Sequence, residues 1–520
     1  MRFLERLPGY LYKLCHRGFS CAPMSTRFQP TLESLRTHAV PDWYHDAKLG
    51  IFMHVGLASV PAFAPREHDI NELLQKDYWR MQPLSPYSEW YENSLRFPWS
   101  PVAKFHREHY GDRPYAEFRG DFERAFEGWD PGPWADLVAE SGASYFVLVT
   151  KHHDGYCHWP TKVPNPRRPG WNAQRDFVGE MGTAIRARGM RYGLYYSGGL
   201  DWTFETMPLA TLGDVMCSVP GGDYPAYADA HVRELIERYQ PSVLWNDIAW
   251  PTDLPTLFRL FADYYEAVPE GVVNDRWLTR SWVTSVLRNR PIRYAADWLL
   301  SKMLARVEGG ASLQPPKPPH YDARTPEYSV FPEARTEKWE CVRGIDKSFG
   351  YNRLSRPEDH LDCEALLTSF ADIVSKNGNL LLNVGPRGED ATIPEVQAER
   401  LRWLGAFLRT HGEAIRRTRP WVRAVGQTDT GIDLRFTARE SVVNILFMRR
   451  PEAGPVAIEG LLARPGARVR WLGAAGAAAS SGPVEAIEPS TGPRIVLSVP
   501  GTLDDSPVQG VVLEGVENAA

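Results

Sequence analysis

At 520 residues the chain exceeds what one hydrophobic core supports, and a β/α barrel of roughly 250 residues would leave room for a second unit. Apolar residues make up 43% and charged residues 24%, which suits a globular protein with a sizeable core. The formal net charge is -5 and no long basic block occurs, which argues against nucleic acid as a partner.

In chain order, residues 1–27 read as a disordered N-terminal extension. Glu5, Arg6, Pro8 and Lys13 interrupt any apolar core of a secretory signal, so a cytoplasmic setting is expected. Met24 is an alternative start. No run approaches the roughly 20 apolar residues of a membrane span, and no membrane partner is expected. The six cysteines are scattered without a CxxC pair or zinc spacing, and read as reduced structural thiols.

Short β-branched or aromatic runs at 50–56, 143–153, 191–197, 242–247, 271–276 and 379–386 end in polar, chemically capable residues. Helical spacing lies between some of them, at 225–239, 364–376 and 395–412. Alternating strands and helices predict a parallel sheet, here a (β/α)8-like barrel over 28–417. An open doubly wound sheet is the rival, but no GxGxxG follows the first strand. Residues 278–321 fit neither pattern. They read as an insertion on the active-site face, with a helix near 295–307 and the Pro-rich run 315–319. From 418 to 520, alternating runs between Gly- and Pro-rich turns predict a smaller all-β sandwich.

Barrel enzymes carry their chemistry at the C-terminal ends of the strands, where His54, His152, His153, Tyr195, Asp247 and Arg276 fall. Asp247 ends an apolar strand among aromatics, where a carboxylate is costly unless it is paired or used. A helix N-cap explains it equally well from the residues alone. The pair His152-His153 suggests a metal, but neighbours on a strand point to opposite faces and chelate one ion poorly. No metal is expected. Asp154 reads as structural, pairing with Lys151 or capping a turn. Asn377 to Asn379 and the glycines of 385–390 lack a phosphate-loop pattern, and no cofactor is expected. Cys157 and Cys341 read as core.

Several blocks together carry a family pattern. WYHDAKLGIFMHVGLASVP (43–61), SEWYENS (88–94), YFVLVTKHHDGYCHWP (145–160), GLYYSGGLDW (193–202), VLWNDIAWP (243–251), VVNDRW (272–277), SFGYNR (348–353) and SKNGNLLLNVGP (375–386) resemble glycoside hydrolase family 29, the α-L-fucosidases. The resemblance implies a retaining exo-glycosidase that releases terminal α-L-fucose from glycans by double displacement. It implies Asp247 as nucleophile and Glu327, in DARTPEY (322–328), as acid/base, with Glu333 and Glu340 as competitors. His54, Glu89, His152, His153, Tyr195 and Arg276 would meet the sugar, with Trp90 and Trp245 close by. Phe52, Tyr87 and Phe349 would enclose its methyl group. Val55 departs from the family, which usually has Trp there. That departure and the insertion leave open a retaining barrel glycosidase for another sugar. A fucose-binding protein with reduced catalysis is a further alternative, which the presence of both carboxyls opposes. Partners beyond a fucosylated glycan are not indicated, and self-association is left open.

Overall fold

A computed structural model describes residues 27–307, 316–474, 484–488 and 492–519. The N-terminal extension up to residue 26, with Cys15, Cys21 and Met24, lies outside the described residues, as does most of the bland stretch 473–483.

Seven parallel strands form the first sheet: β1 (Leu49–Met53), β2 (Tyr145–Lys151), β3 (Arg191–Ser197), β4 (Val243–Asp247), β5 (Val272–Val273), β6 (Trp339–Gly344) and β7 (Gly378–Val384). Their order is β5-β4-β3-β2-β1-β7-β6. The strand expected over 271–276 is paired only at Val272 and Val273, and β6 is an addition to the runs read from the sequence. β6 escaped notice because its sequence, WECVRG, carries two charged residues, Glu340 and Arg343.

The gap between β5 and β6 is filled by an irregular segment, Asp322 to Tyr328. Asp322 N–H donates to Val273 O (3.0 Å), Arg324 N–H to Lys338 O (3.1 Å) and Tyr328 N–H to Val342 O (3.0 Å). Isolated parallel bridges join Asn274 to Ala323, Arg324 to Trp339 and Glu327 to Val342. The barrel is therefore closed by an eighth stave that is not a regular strand. Pro326 removes one donor from it.

The strands read as near-continuous apolar runs because both faces are covered. Alternation still sorts their side chains. Phe52, Tyr145, Val147, Val149, Tyr195, Val243, Trp245, Val342 and Leu381 fill the barrel. Ile51, Met53, Phe146, Leu148, Leu194, Tyr196, Leu244, Leu380 and Leu382 face the surrounding helices. Gly50 has to be glycine, since a Cβ there would lie 2.3 Å from the ring of Tyr145.

From Arg419 onward the chain is all β. β8 (Arg419–Gln427), β9 (Asp433–Arg439), β10 (Val442–Phe447), β11 (Gly454–Glu459), β12 (Leu461–Trp471), β13 (Val484–Ala486), β14 (Arg494–Val499) and β15 (Gln509–Asn518) make two sheets, β13-β12-β15-β10-β9-β8 and β11-β14. Residues of both sheets share one core, including Phe436, Ile445, Ile458, Trp471 and Leu497. Thr437 Oγ1 donates to Ala414 O (2.7 Å), and Arg419 pairs with Asp46 (2.7 Å), tying this unit to the base of the barrel.

One buried ion pair lies under the top of the barrel. Lys151 Nζ meets Asp201 Oδ2 at 2.9 Å with both side chains fully buried, and Lys151 also lies over the ring of Tyr196. Asp154, an expected partner of Lys151, instead accepts from Tyr115 OH (2.9 Å) and from Tyr156 N–H (3.0 Å), which caps the turn. Removing one partner of such a pair strands a charge in a low-dielectric interior. Asp201→Ala is expected to lower the unfolding free energy by about 3–5 kcal/mol in urea melts. Adding Lys151→Met should return much of that loss.

Candidate active site

A cavity of about 500 Å³ opens at the C-terminal ends of the strands, and every site residue named from the sequence lines it. Strand parity delivers the central ones. The alternation that points Phe52 inward also points His54 inward; Val243 and Trp245 lead to Asp247, and Leu381 leads to Asn383.

Three donors converge on Asp247. Arg276 Nη1 lies 2.9 Å from Oδ1, Ile248 N–H donates to Oδ1 (2.8 Å), and Tyr195 OH donates to Oδ2 (2.8 Å). The same Nη1 of Arg276 lies 2.5 Å from Glu327 Oε1. The two carboxylate oxygens are thus no further apart than those two contacts end to end, about 5.4 Å. Both acids keep some exposure to the cavity, at 13% and 16% of the side chain, while Arg276 is at 10%.

A polar lattice behind these groups holds them in register. Asn246 Nδ2 donates to Arg276 O (2.7 Å), and Asn274 Nδ2 donates to Asn246 O (2.8 Å). Asp275 Oδ1 accepts from Thr325 N–H (3.1 Å) and Oγ1 (2.5 Å), and Arg276 Nη2 donates to Thr325 O (3.1 Å). The stave bearing Glu327 is therefore pinned to the residues that flank Arg276. Ile248 and Tyr328, each directly after one of the two acids, adopt positive φ values of 69° and 46°. That conformation is unfavourable for a β-branched residue, and it occurs at Ile248 directly after the N–H that donates to the acid.

The histidines are neutral. Burial holds His54 down to about 4, and burial, followed by the neighbouring imidazoles and Lys151, lowers His152 and His153 well below the usual range. Their tautomers follow from their partners. Asn383 Nδ2 donates to Phe349 O, so its Oδ1 accepts from His54 Nδ1 (2.5 Å), leaving His54 Nε2 as an acceptor. Ser197 Oγ donates to Leu200 O (2.8 Å) and accepts from His153 Nδ1 (2.6 Å), which frees His153 Nε2 likewise. His152 and His153 do not point to opposite faces. β2 is irregular between Val149 and Lys151 and ends there, and the two rings come within 4.0 Å, both lining the cavity. Among the described residues no group of three His, Cys, Asp or Glu has the arrangement of a metal site.

Glu89 is buried, with Gly350 N–H donating to Oε2 (2.9 Å). Trp90 stands edge-on to His153 at 5.0 Å. Phe52, Tyr87 and Phe349 form an aromatic wall with His54; Phe52 lies 4.5 Å from the His54 ring and Tyr87 5.5 Å from Phe349. Val55 faces a smaller cavity of about 20 Å³ shared with His54, Glu89 and His152. Of the competing acids, Glu333 is exposed in a loop outside the cavity. Glu340 is fully buried below it, accepting from Tyr44 OH (2.7 Å), Tyr145 OH and Trp245 Nε1 (3.2 Å). Cys157, Cys217, Cys341 and Cys363 are free thiols, and burial pushes the Cys341 thiol up to about 11.

Sequence reasoning passed over Asn246, Asn274, Asp275, Thr325, Ser197 and Asn383. Most lie inside the motif blocks, and their polarity on buried strands was the available signal.

Residues 19–413 match the family described as Alpha-L-fucosidase. Plasma alpha-L-fucosidase of Homo sapiens is 32% identical over 448 residues, covering 83% of this chain and 81% of that one. Tissue alpha-L-fucosidase of Bos taurus is 30% identical, covering 86% and 83%. Among solved structures, Thermotoga maritima alpha-fucosidase in complex with a mechanism based inhibitor is 38% identical with a TM-score of 0.76, covering 94% of this chain and 100% of that one.

Desolvation, partly offset by the Gly350 N–H, raises Glu89 from 4.5 to about 7. The folded state then binds a proton more tightly than the unfolded state, so Glu89 costs stability as pH rises from about 4.5 to 7, and by a constant amount above that. Glu89→Gln lacks this titration. Between pH 5 and 8 it is expected to gain roughly 2–3 kcal/mol relative to the parent protein in paired urea melts.

Proposed function

The chain belongs to the α-L-fucosidase family, and from that premise we propose how its cavity hydrolyses α-L-fucosides. The observation that carries the reading is the pair of carboxylates held by one guanidinium, Asp247 and Glu327 on Arg276 Nη1. An upper limit of about 5.4 Å between one oxygen of each acid supports the close pair, roughly 5–5.5 Å, of retaining glycosidases. It is short of the roughly 6.5–9.5 Å that inversion needs to admit water between acid and sugar.

Asp247 attacks the anomeric carbon, the glycosidic C–O bond breaks, and the leaving oxygen takes the proton of Glu327. The fucosyl group is then esterified to Asp247. In the second step Glu327 takes a proton from water, the water oxygen attacks the anomeric carbon, and the ester electrons return to Asp247. Arg276 supports this change of role. While Asp247 is ionised the two acids share the guanidinium; once Asp247 is an ester, Arg276 is left to Glu327 alone.

His54 Nε2 and His153 Nε2, as acceptors, suit sugar hydroxyls, with His152, Glu89, Tyr195 and Trp245 completing the polar and stacking contacts. Trp90 positions His153. Phe52, Tyr87 and Phe349 suit a methyl group at C5 better than a hydroxymethyl. The substrate is a fucosylated glycan or glycoconjugate. No described helix is long and apolar enough to cross a membrane. The four free thiols support a reducing compartment such as the cytoplasm.

Asp247→Gly is expected to lower aryl α-L-fucoside turnover by ~10³-fold or more, with azide restoring part of it as a β-L-fucosyl azide. Near-parental turnover would remove Asp247 from the role. L-Galactosides, which add one hydroxyl at the methyl carbon, should be turned over about 10²-fold less efficiently in kcat/KM. Equal rates would rule out the aromatic methyl wall.

A further inference from the structure

The insertion contains two helices in its described part, Trp282–Leu287 and Arg290–Leu304, rather than the single helix expected near 295–307. The second helix is anchored on one side. Asp297 accepts from Tyr78 OH (2.5 Å), Thr211 Oγ1 (2.8 Å) and Gly213 N–H (3.1 Å), and Arg293 pairs with Asp214 (3.0 Å). Leu300 and Leu304 pack against the barrel cluster from the same face.

The opposite face is also apolar. Trp282 is 78% exposed, Tyr294 63%, Met303 60%, Leu299 57% and Trp298 52%. Tyr294 and Trp298 stand one turn apart, as do Leu299 and Met303, and Trp79 packs on Tyr294 at 4.8 Å. A helix apolar on both faces calls for something to cover the second one.

Charge selects the cover. Residues 278–307 hold six basic residues and one acidic residue. The acid is Asp297, buried and fully used. Arg288, Arg290, Lys302 and Arg306 are exposed around the aromatic face. Of the acids outside the segment, Asp214 pairs with Arg293 on the anchored side, and Glu72 and Asp77 pair with Lys76 and Arg80. A second copy docked by two-fold symmetry would set these cations against themselves, with no exposed acid among residues 278–307 to meet them. An anionic bilayer surface answers both features, because Trp and Tyr settle at headgroup level while Arg and Lys meet the lipid phosphates and carboxylates.

We propose that the face formed by Trp282, Tyr294, Trp298, Leu299 and Met303 docks peripherally on an anionic lipid surface. The expectation of no membrane partner rested on the lack of a spanning stretch, which a peripheral contact does not need. Ser281 and Thr284, on the inner side of the first helix, line the catalytic cavity. Docking thus brings the mouth of the cavity to the headgroup layer, where fucosylated headgroups would be its substrates. That last clause rests on the reading of the cavity given above; the docking does not.

The test is co-sedimentation of the full chain with vesicles of phosphatidylcholine, with and without phosphatidylserine, while turnover of a soluble aryl α-L-fucoside is followed in parallel. The protein is expected to bind only the phosphatidylserine vesicles and to be released by salt. Trp282→Ser with Trp298→Ser should abolish binding and leave soluble turnover unchanged. Arg288→Ser with Arg290→Ser should weaken it by roughly fivefold per charge. Absence of binding by the intact protein, equal binding to both vesicle types, or binding retained by the tryptophan variant would overturn the proposal. So would a sedimentation mass of several copies that falls on Trp298→Ser, which would assign the face to a second copy. Lack of fucoside turnover by the parent protein would count against the reading of the cavity alone.

Discussion

A single guanidinium stands between two carboxylates, and the site is arranged around keeping it there. Asp247 and Glu327 within reach of each other would repel in a dry cavity if both were charged, and Arg276 offsets that repulsion. Burial alone would favour loss of the Arg276 proton, but Glu327, then Asp247 and Asp275, outweigh it and raise its pKa further. The guanidinium is therefore a fixed positive charge. Its plane lies over Trp245, 4.7 Å from the ring centroid, and its other nitrogens are held by Thr325. Trp245 is in turn fixed by Glu340 from below. A chain of polar contacts thus runs from the barrel floor to both carboxylates.

The rest of the cavity is consistent with one dominant cation. Burial disfavours the charged form of the three histidines next to Arg276, so no imidazolium there competes with it. For His54 and His153 the hydrogen-bonding sense is also set, since a fixed acceptor behind each of those two rings dictates which nitrogen faces the cavity. A neutral sugar needs such directional, uncharged contacts. Glu89 fits the same logic, because its carboxyl is buried deeply enough to favour the protonated form up to about neutral pH.

Much of this was legible in the sequence because strand parity is. Phe52 and His54, or Trp245 and Asp247, share a face in any strand, and the family blocks place those strands in order. Asp247 alone could have been a helix cap; in the structure Asp253 caps the following helix, accepting from Thr256 N–H. Four things were not legible. β6 looked too polar to be a strand, because its inward Glu340 is neutralised by partners distant in sequence. His152 and His153 were assigned to opposite faces, since a period-two argument cannot see where a strand ends. Glu327 could be named only from the resemblance, because its position depends on Asp275 and Thr325, partners 50 residues apart. The apolar outer face of the insertion was hidden for a similar reason: without the anchoring contacts of Asp297, either side of that helix could have been the buried one.

The irregular eighth stave has a bearing on how such a protein can diversify. Between Val273 and Asp322 the chain leaves the barrel, builds the insertion and returns, and on return it is re-seated by Asp322 N–H on Val273 O. A regular strand would transmit any change in length as a slipped register. A stave held by isolated bridges and by Asp275 is indexed afresh, whatever came before it. The excursion can therefore grow, shrink or change its surface chemistry while Glu327 at its end stays opposite Asp247. The proposed reaction and the proposed lipid contact would thus share one piece of chain, yet the two can vary separately.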